Sequence, residues 1–258
     1  MKVAVCISGE MRLFNHPLII QGYKKFIEKY NPDVFISTWD HIGLSMNHGY
    51  LDPFQKKQVS QGLETIIQQT YVGCKSIEIE NYNDWIDAVD TEANSILTDP
   101  RYNTRTINSY SQLYKIHKAN QLKLTQESLN GYKYDIVIRL RPDNLFISGL
   151  QIEQTTPNTV YNINLKGNFY PNRVYDILFY GDSSSMDIIS DAYLQYKQLI
   201  QNDFENGLCR RDACRLLYLK AILGDVQVES TTNRPCDIYR GQTFEEYSNI
   251  LHSLGGLD

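Results

Sequence analysis

Residues 2–39, "KVAVCISGEMRLFNHPLIIQGYKKFIEKYNPDVFISTW", decide the fold. "KVAVCIS" (2–8) is an unbroken apolar run closed by Gly9, the pattern of a strand covered on both faces of a parallel sheet. "PLIIQGYKKFIEKY" (17–30) opens on Pro17, which suits a first helical turn, and sets Ile20, Tyr23, Phe26, Ile27 and Tyr30 at helical spacing. "PDVFISTW" (32–39) is a second covered strand. Strand, helix and strand in such short order make a βαβ unit with a right-handed crossover.

Outward from that unit, "DPFQKKQVSQGLETIIQQTY" (52–71) reads as a helix and "KSIEIEN" (75–81) as a strand with one wet face. Residues 90–108 show no clear period and read as an irregular loop. Residues 109–128 form a helix with Leu113, Ile116, Ala119 and Leu122 along one stripe, stopped by Gly131. It delivers the chain into strand "DIVIRL" (135–140). "TVYNIN" (159–164) and "VYDILFYG" (174–181) are strands, followed by a helix from Ser183 to about Gln201 and another from Arg210 to about Leu223. A short strand "VQVES" (226–230) and a terminal helix from about Thr243 complete the order. No repeat, low-complexity segment or composition shift divides the chain. One mixed α/β domain is expected.

A length of 258 residues with 42% hydrophobic content fills a sizeable core. The net charge of −5 argues against a nucleic-acid partner, which calls for a basic patch. No apolar run is long enough for a transmembrane helix, and residues 1–8 are too short for a signal peptide, so a cytoplasmic location is expected. Cys6, Cys74, Cys209, Cys214 and Cys236 are scattered without a C-x-x-C pair, which disfavours a zinc site or a disulfide framework. The five histidines form no ligand cluster.

Ligands of open α/β sheets bind outside the carboxyl ends of the strands. At that rim "DIVIRLRPDNLF" (135–146) ends on Arg139, Arg141 and Asp143. The pleat puts both arginines on one face, and Pro142 stops the ladder and fixes the turn that carries Asp143. Two readings stand. One is a structural ion pair at a strand end. The other puts a divalent cation, Mg²⁺ or Mn²⁺, on Asp143 and a phosphate on an arginine. After the first strand, Gly9 lets the backbone approach a ligand and Arg12 can reach phosphate or a base; a plain turn is the alternative. After the second, Trp39 is placed to cover a base or sugar, or to pack at the rim, and Asp40 to accept a hydroxyl. "SQLYKIHK" sets Ser111, Tyr114, Lys115 and Lys118 on a helix, the lysines either solvated or facing phosphate.

"YDIVIRLRPDNLF" (134–146) resembles the strand and turn of GT-A glycosyltransferases, whose D-x-D turn holds the metal and diphosphate of a nucleotide sugar. It is similar to the R-x-E-P-D turn of fungal mannosyltransferases and more so to the R-x-R-P-D turn of bacterial and viral capsule or lipopolysaccharide enzymes. "KVAVCISGEMR" (2–12), "NPDVFISTWD" (31–40) and "SQLYKIHKAN" (111–120) resemble that second group in the same order. The C-terminal third matches loosely, through "YDILFYGDSSSMD" (175–187).

The resemblance implies a single GT-A-like (Rossmann-like) α/β domain with a mostly parallel central sheet flanked by helices. Residues 1–146 would be its nucleotide-sugar half and 147–258 its acceptor half. It implies a nucleoside diphosphate sugar donor and a glycan or other hydroxyl acceptor. Donor contacts fall to Gly9, Arg12, Trp39, Asp40, Ser111, Lys115, Arg139 and Asp143, with a divalent cation on Asp143. Arg141 stands where the first acid of the turn belongs. Either Asp143 holds the ion with water and phosphate oxygens, or Arg141 supplies charge in its place. Asp176, expected where a strand begins, is the candidate base for the acceptor. Asp182 reads as a helix cap and Asp212 as an acid that complements the dipole at a helix start. The alternatives are an inactive nucleotide- or sugar-binding module, since the acidic pair is incomplete, and a nucleotidyltransferase, whose glycine- and lysine-rich loop is missing.

Overall fold

A computed structural model of the chain describes residues 1–11, 14, 15, 17–42, 57–58, 62–89, 105–146, 152, 155–163, 172–205, 212–231 and 236–238. The first βαβ unit runs β1 (Val3–Ser8), α1 (Pro17–Tyr30) and β2 (Asp33–Trp39). After the short β3 (His41–Ile42) and β4 (Lys57–Gln58) come α2 (Leu63–Thr70), β5 (Cys74–Glu80) and α3 (Tyr82–Asp87). The long α4 (Arg105–Asn130) leads into β6 (Ile136–Leu140) and β7 (Asn144–Phe146). Then follow β8 (Thr159–Ile163), β9 (Leu178–Gly181), α5 (Ser183–Ser190), a 3₁₀ turn (Asp191–Gln195), α6 (Tyr196–Glu205), α7 (Ala213–Leu223), β10 (Gln227–Thr231) and β11 (Cys236–Ile238).

Seven strands form one sheet in the order β10-β8-β9-β6-β1-β2-β5. β9 pairs antiparallel with both neighbours, and every other pairing is parallel. This is the α/β architecture expected: a mostly parallel sheet flanked by helices and continuous through both halves of the chain. The unbroken apolar reading of β1 follows from cover on both faces. Val3, Val5 and Ile7 pack with Tyr23 and Phe26 of α1. Ala4 and Cys6 point the other way, into a layer with Leu113, Ile116 and Ala119 of α4.

Local expectations shift in four places. Residues 57–58, expected within a helix, pair antiparallel with β3, and α2 begins at Leu63 behind Gly62, whose φ of 91° no helix interior uses. α4 starts at Arg105, inside the stretch expected to be irregular. The helix expected from Ser183 is three segments, α5, the 3₁₀ turn and α6. β9 begins only at Leu178, so Asp176 sits in a turn before the strand and not at its start. The helix expected from Thr243 lies outside the described residues. Asp182 is the cap it was read to be, accepting from the Ser184 and Ser185 N–H groups, and Asp212, read as an acid beside a helix start, caps its helix as well by accepting from the Arg215 N–H.

Between β1 and β6 the direction of construction reverses. From β1 the chain builds to β2 and β5; on the other side of the pair lie β6, β9, β8 and β10. α1 and α4 cover opposite faces there. Such a switch point leaves a crevice at the carboxyl ends of its two strands.

Candidate functional site

The switch point is built from the last residues of β1 and β6. Ser8 ends β1, and Gly9 turns the chain away at φ 115°, its N–H donating to the Ser37 carbonyl at 3.2 Å. In the parallel register Arg139 lies opposite Cys6, one pleat short of Ser8, so its guanidinium reaches across the switch point. Nε donates to Ser8 Oγ at 3.1 Å and Nη2 to the Ser8 carbonyl at 3.3 Å. Nη1 is buried and has no partner. Arg139 is only 2% exposed, and among the described residues no carboxylate lies within ion-pair distance of it. Burial pushes its pKa down to about 10, and the more distant Asp176 restrains the fall. A buried guanidinium with an unmet N–H group carries an uncompensated desolvation cost, which an anion's oxygen is chemically suited to offset.

Arg141 is used differently. Its Nε and Nη2 donate to the two oxygens of Asp143, both at 2.9 Å, a fork made possible by the turn at Pro142. Nη1 donates to Asp176 Oδ2 at 3.0 Å. The same Asp176 oxygen accepts from Gln112 of α4, and Oδ1 accepts from the Cys214 thiol of α7 at 3.3 Å. Arg141 is therefore clamped between two carboxylates, and these contacts raise its pKa against the pull of burial. For Asp176, burial favours the acid, but Arg141 and then Arg139 overcome it and hold the carboxyl well below the usual range.

Three expectations change here. Asp143 is not an exposed rim acid but 1% exposed, with both oxygens on Arg141. The turn is thus the ion pair of the first reading. A divalent cation on Asp143 does not fit, because the position beside both carboxylates belongs to a guanidinium, and no group of three potential ligands exists among the described residues. Asp176 is a poor general base, since an anion stabilised this strongly takes a proton weakly.

The remaining candidates divide by location. Gly9 and Arg139 come together at the switch point, where Arg139 bonds to the neighbouring Ser8. Trp39, Asp40, Ser111 and Lys115 gather further along the edge, at the ends of β2 and β5, with partners inside the protein. Trp39 is buried, donates Nε1–H to Ser111 Oγ at 3.1 Å and stacks on Tyr114, which is the rim-packing alternative. Asp40 accepts from Asn81 Nδ2 at 2.8 Å and from the Tyr82 N–H at 3.3 Å, pinning the end of β2 to α3. Lys115, read as solvated or facing phosphate, is 0% exposed, ion-paired to Glu80 at 2.5 Å and 3.9 Å from the Trp39 ring centroid. Arg12 lies outside the described residues. Ser8, Gln112 and Cys214 belong to the site and were missed; only the first two stand inside motifs that carried a signal.

Burial lowers the Lys115 pKa to about 8 although Glu80 resists. Unfolded, the same group titrates near 10.4. Between those values the unfolded chain binds the extra proton, so stability rises with pH there, by up to about 1.4 kcal/mol per pH unit for one group. Lys115→Met is expected to remove that slope. Urea melts of both proteins at pH 8 and pH 10 check it, and parallel pH dependences would refute it.

No family model matches the chain, and no curated protein matches it.

Proposed function

We propose that this chain is a glycosyltransferase that moves a sugar from a nucleoside diphosphate donor to a hydroxyl of a glycan or similar acceptor. The observation that carries the reading is Arg139: a guanidinium at the switch point of a Rossmann-like sheet, buried, tied to Ser8 by two of its nitrogens and unpartnered at the third. A diphosphate supplies the oxygen that Nη1 lacks, and the turn at Gly9 brings backbone close without a side chain in the way. In the reaction the anomeric carbon exchanges its bond to the diphosphate oxygen for one to the acceptor oxygen, whose proton leaves to a base. Arg139 holds the charge that grows on the departing diphosphate. Asp176 positions Arg141 and is not assigned the base role.

The engagement of Asp176 favours one second reading, a module that binds the nucleotide sugar without transferring it. Thermal-shift measurements with UDP, GDP and CDP test both, since a ligand of the folded state raises the melting temperature by mass action. One of the three is expected to stabilise the chain. Slow release of nucleoside diphosphate from the matching nucleotide sugar, without acceptor, then separates enzyme from binding module. No stabilisation by any of the three would overturn the proposal.

A further inference from the structure

We infer that Arg141 occupies the position a divalent cation would take in this site, so that the diphosphate is bound without metal, by Arg139 and Arg141 together. The inference rests on the donor reading of the site and goes beyond it by naming what neutralises the donor.

The first ground is the donor set. A Mg²⁺ or Mn²⁺ ion needs oxygen lone pairs at roughly 2.0–2.2 Å in near-octahedral array. Both oxygens of Asp143 already accept guanidinium N–H groups at 2.9 Å. Asp176 Oδ2 accepts from Arg141 and Gln112, and Oδ1 from Cys214. An ion could reach these carboxylates only by expelling the guanidinium from a pocket in which Asp143 is almost fully buried. The second ground is what Arg141 has left. A guanidinium has five N–H donors; three are used on the carboxylates, which leaves one on Nη1 and one on Nη2. Its side chain is 16% exposed, enough for those two to meet a ligand oxygen. With the two unpartnered N–H groups on Nη1 of Arg139 they give four N–H groups on two guanidinium ions at one strand end. Planar guanidinium groups suit phosphate oxygens, and the carboxylates fix one of them in place.

The test uses the full chain. Isothermal titration with MnCl₂ alone is expected to show no saturable binding. Titration with UDP, GDP and CDP, each in EDTA and in Mn²⁺, is expected to give one nucleotide whose Kd agrees within about threefold between the two conditions, far less than the tenfold that 1.4 kcal/mol produces. Tightening of about tenfold or more by Mn²⁺ would overturn the inference and leave the donor reading standing. Absence of binding by all three nucleotides in both conditions would overturn both. A second variant approaches from the other side: Arg141→Glu removes the guanidinium and adds a third carboxylate beside Asp143 and Asp176. Mn²⁺ is expected to raise the melting temperature of that variant and leave the wild type unmoved. A rise of equal size in the wild type, or a folded variant indifferent to Mn²⁺, would show that Arg141 is not at the cation's position.

Discussion

Arg141→Met is expected to lower the unfolding free energy by about 3–5 kcal/mol, the usual cost of leaving a buried charge without its partner. Methionine keeps much of the stem volume, so the loss is chiefly electrostatic. Asp143, 1% exposed, loses the fork that satisfies both its oxygens, and Asp176 loses the nearest of its two cations. The pH dependence gives a second check. The Asp176 carboxyl is depressed in the folded protein and titrates near 3.9 when unfolded. Its contribution is therefore complete above that value and is lost as pH falls toward the folded pKa. The gap between wild type and variant is expected to be widest at pH 7 and to narrow by pH 3. Urea denaturation at both pH values measures it; a gap below about 1 kcal/mol at pH 7 would mean that the clamp is solvated and weak. The same geometry sets Asp143→Ala apart from an ordinary surface change: it leaves Arg141 Nε and Nη2 without their acceptors, with only Asp176 still paired, and is expected to destabilise.

Arg139→Met, two residues earlier, is expected to behave in the opposite way. This guanidinium has two hydrogen bonds to Ser8, an unpartnered Nη1 and no carboxylate within ion-pair distance among the described residues. Folding therefore carries its desolvation without full return, and replacing it with an apolar group of similar length should leave the melting temperature unchanged or raised. Donor hydrolysis should fall by about 10²–10³-fold, the range found when one preorganised donor to a developing anion is removed. Stability and turnover thus diverge at one position, as they do where a site stores strain for function. Circular dichroism melts and a nucleoside diphosphate release assay give the two numbers. A variant that is much less stable, yet unchanged in turnover per folded molecule, would make Arg139 a structural residue.

The two arginines show where legibility in the sequence ends. β1, β2 and β6 announce themselves because burial on two faces makes their runs mostly apolar, and α1 because one stripe must be apolar. The rim was legible too, since Pro142 must stop the ladder and charge must follow. Which charge meets which was not. Arg139 and Arg141 share a face and a spacing, yet one reaches back to Ser8 and the other forward to Asp143, a choice made by turn geometry and by Asp176 arriving from a segment far along the chain. Trp39 and Lys115 were likewise readable as edge residues. Only the arrival of α3 and α4 closes the edge over them, with Trp85 and Tyr114 against the indole. β9 was expected too early because Tyr175 and Ile177 continue its apolar alternation. In the fold the Tyr175 N–H is taken by the Asn162 side chain and the Ile177 carbonyl by Arg141 and Asn144, so ladder pairing waits until Leu178.

The placement of β9 has a consequence for how the protein is made. It is threaded between β6 and β8, strands that precede it in the chain. While the ribosome is still extending the polypeptide, β5, β2, β1 and β6 can assemble as a parallel half-sheet, but β6 then ends that sheet with its outer row of N–H and C=O groups open. Its residues Ile136, Val137, Ile138 and Leu140 are apolar, the composition that recruits stray strands from other chains. The interval lasts until residues 178–181 emerge, a few seconds at roughly 5–20 residues per second. Nascent chains of this protein therefore pass through a stage in which the strand that later presents Arg139 is also an adhesive edge.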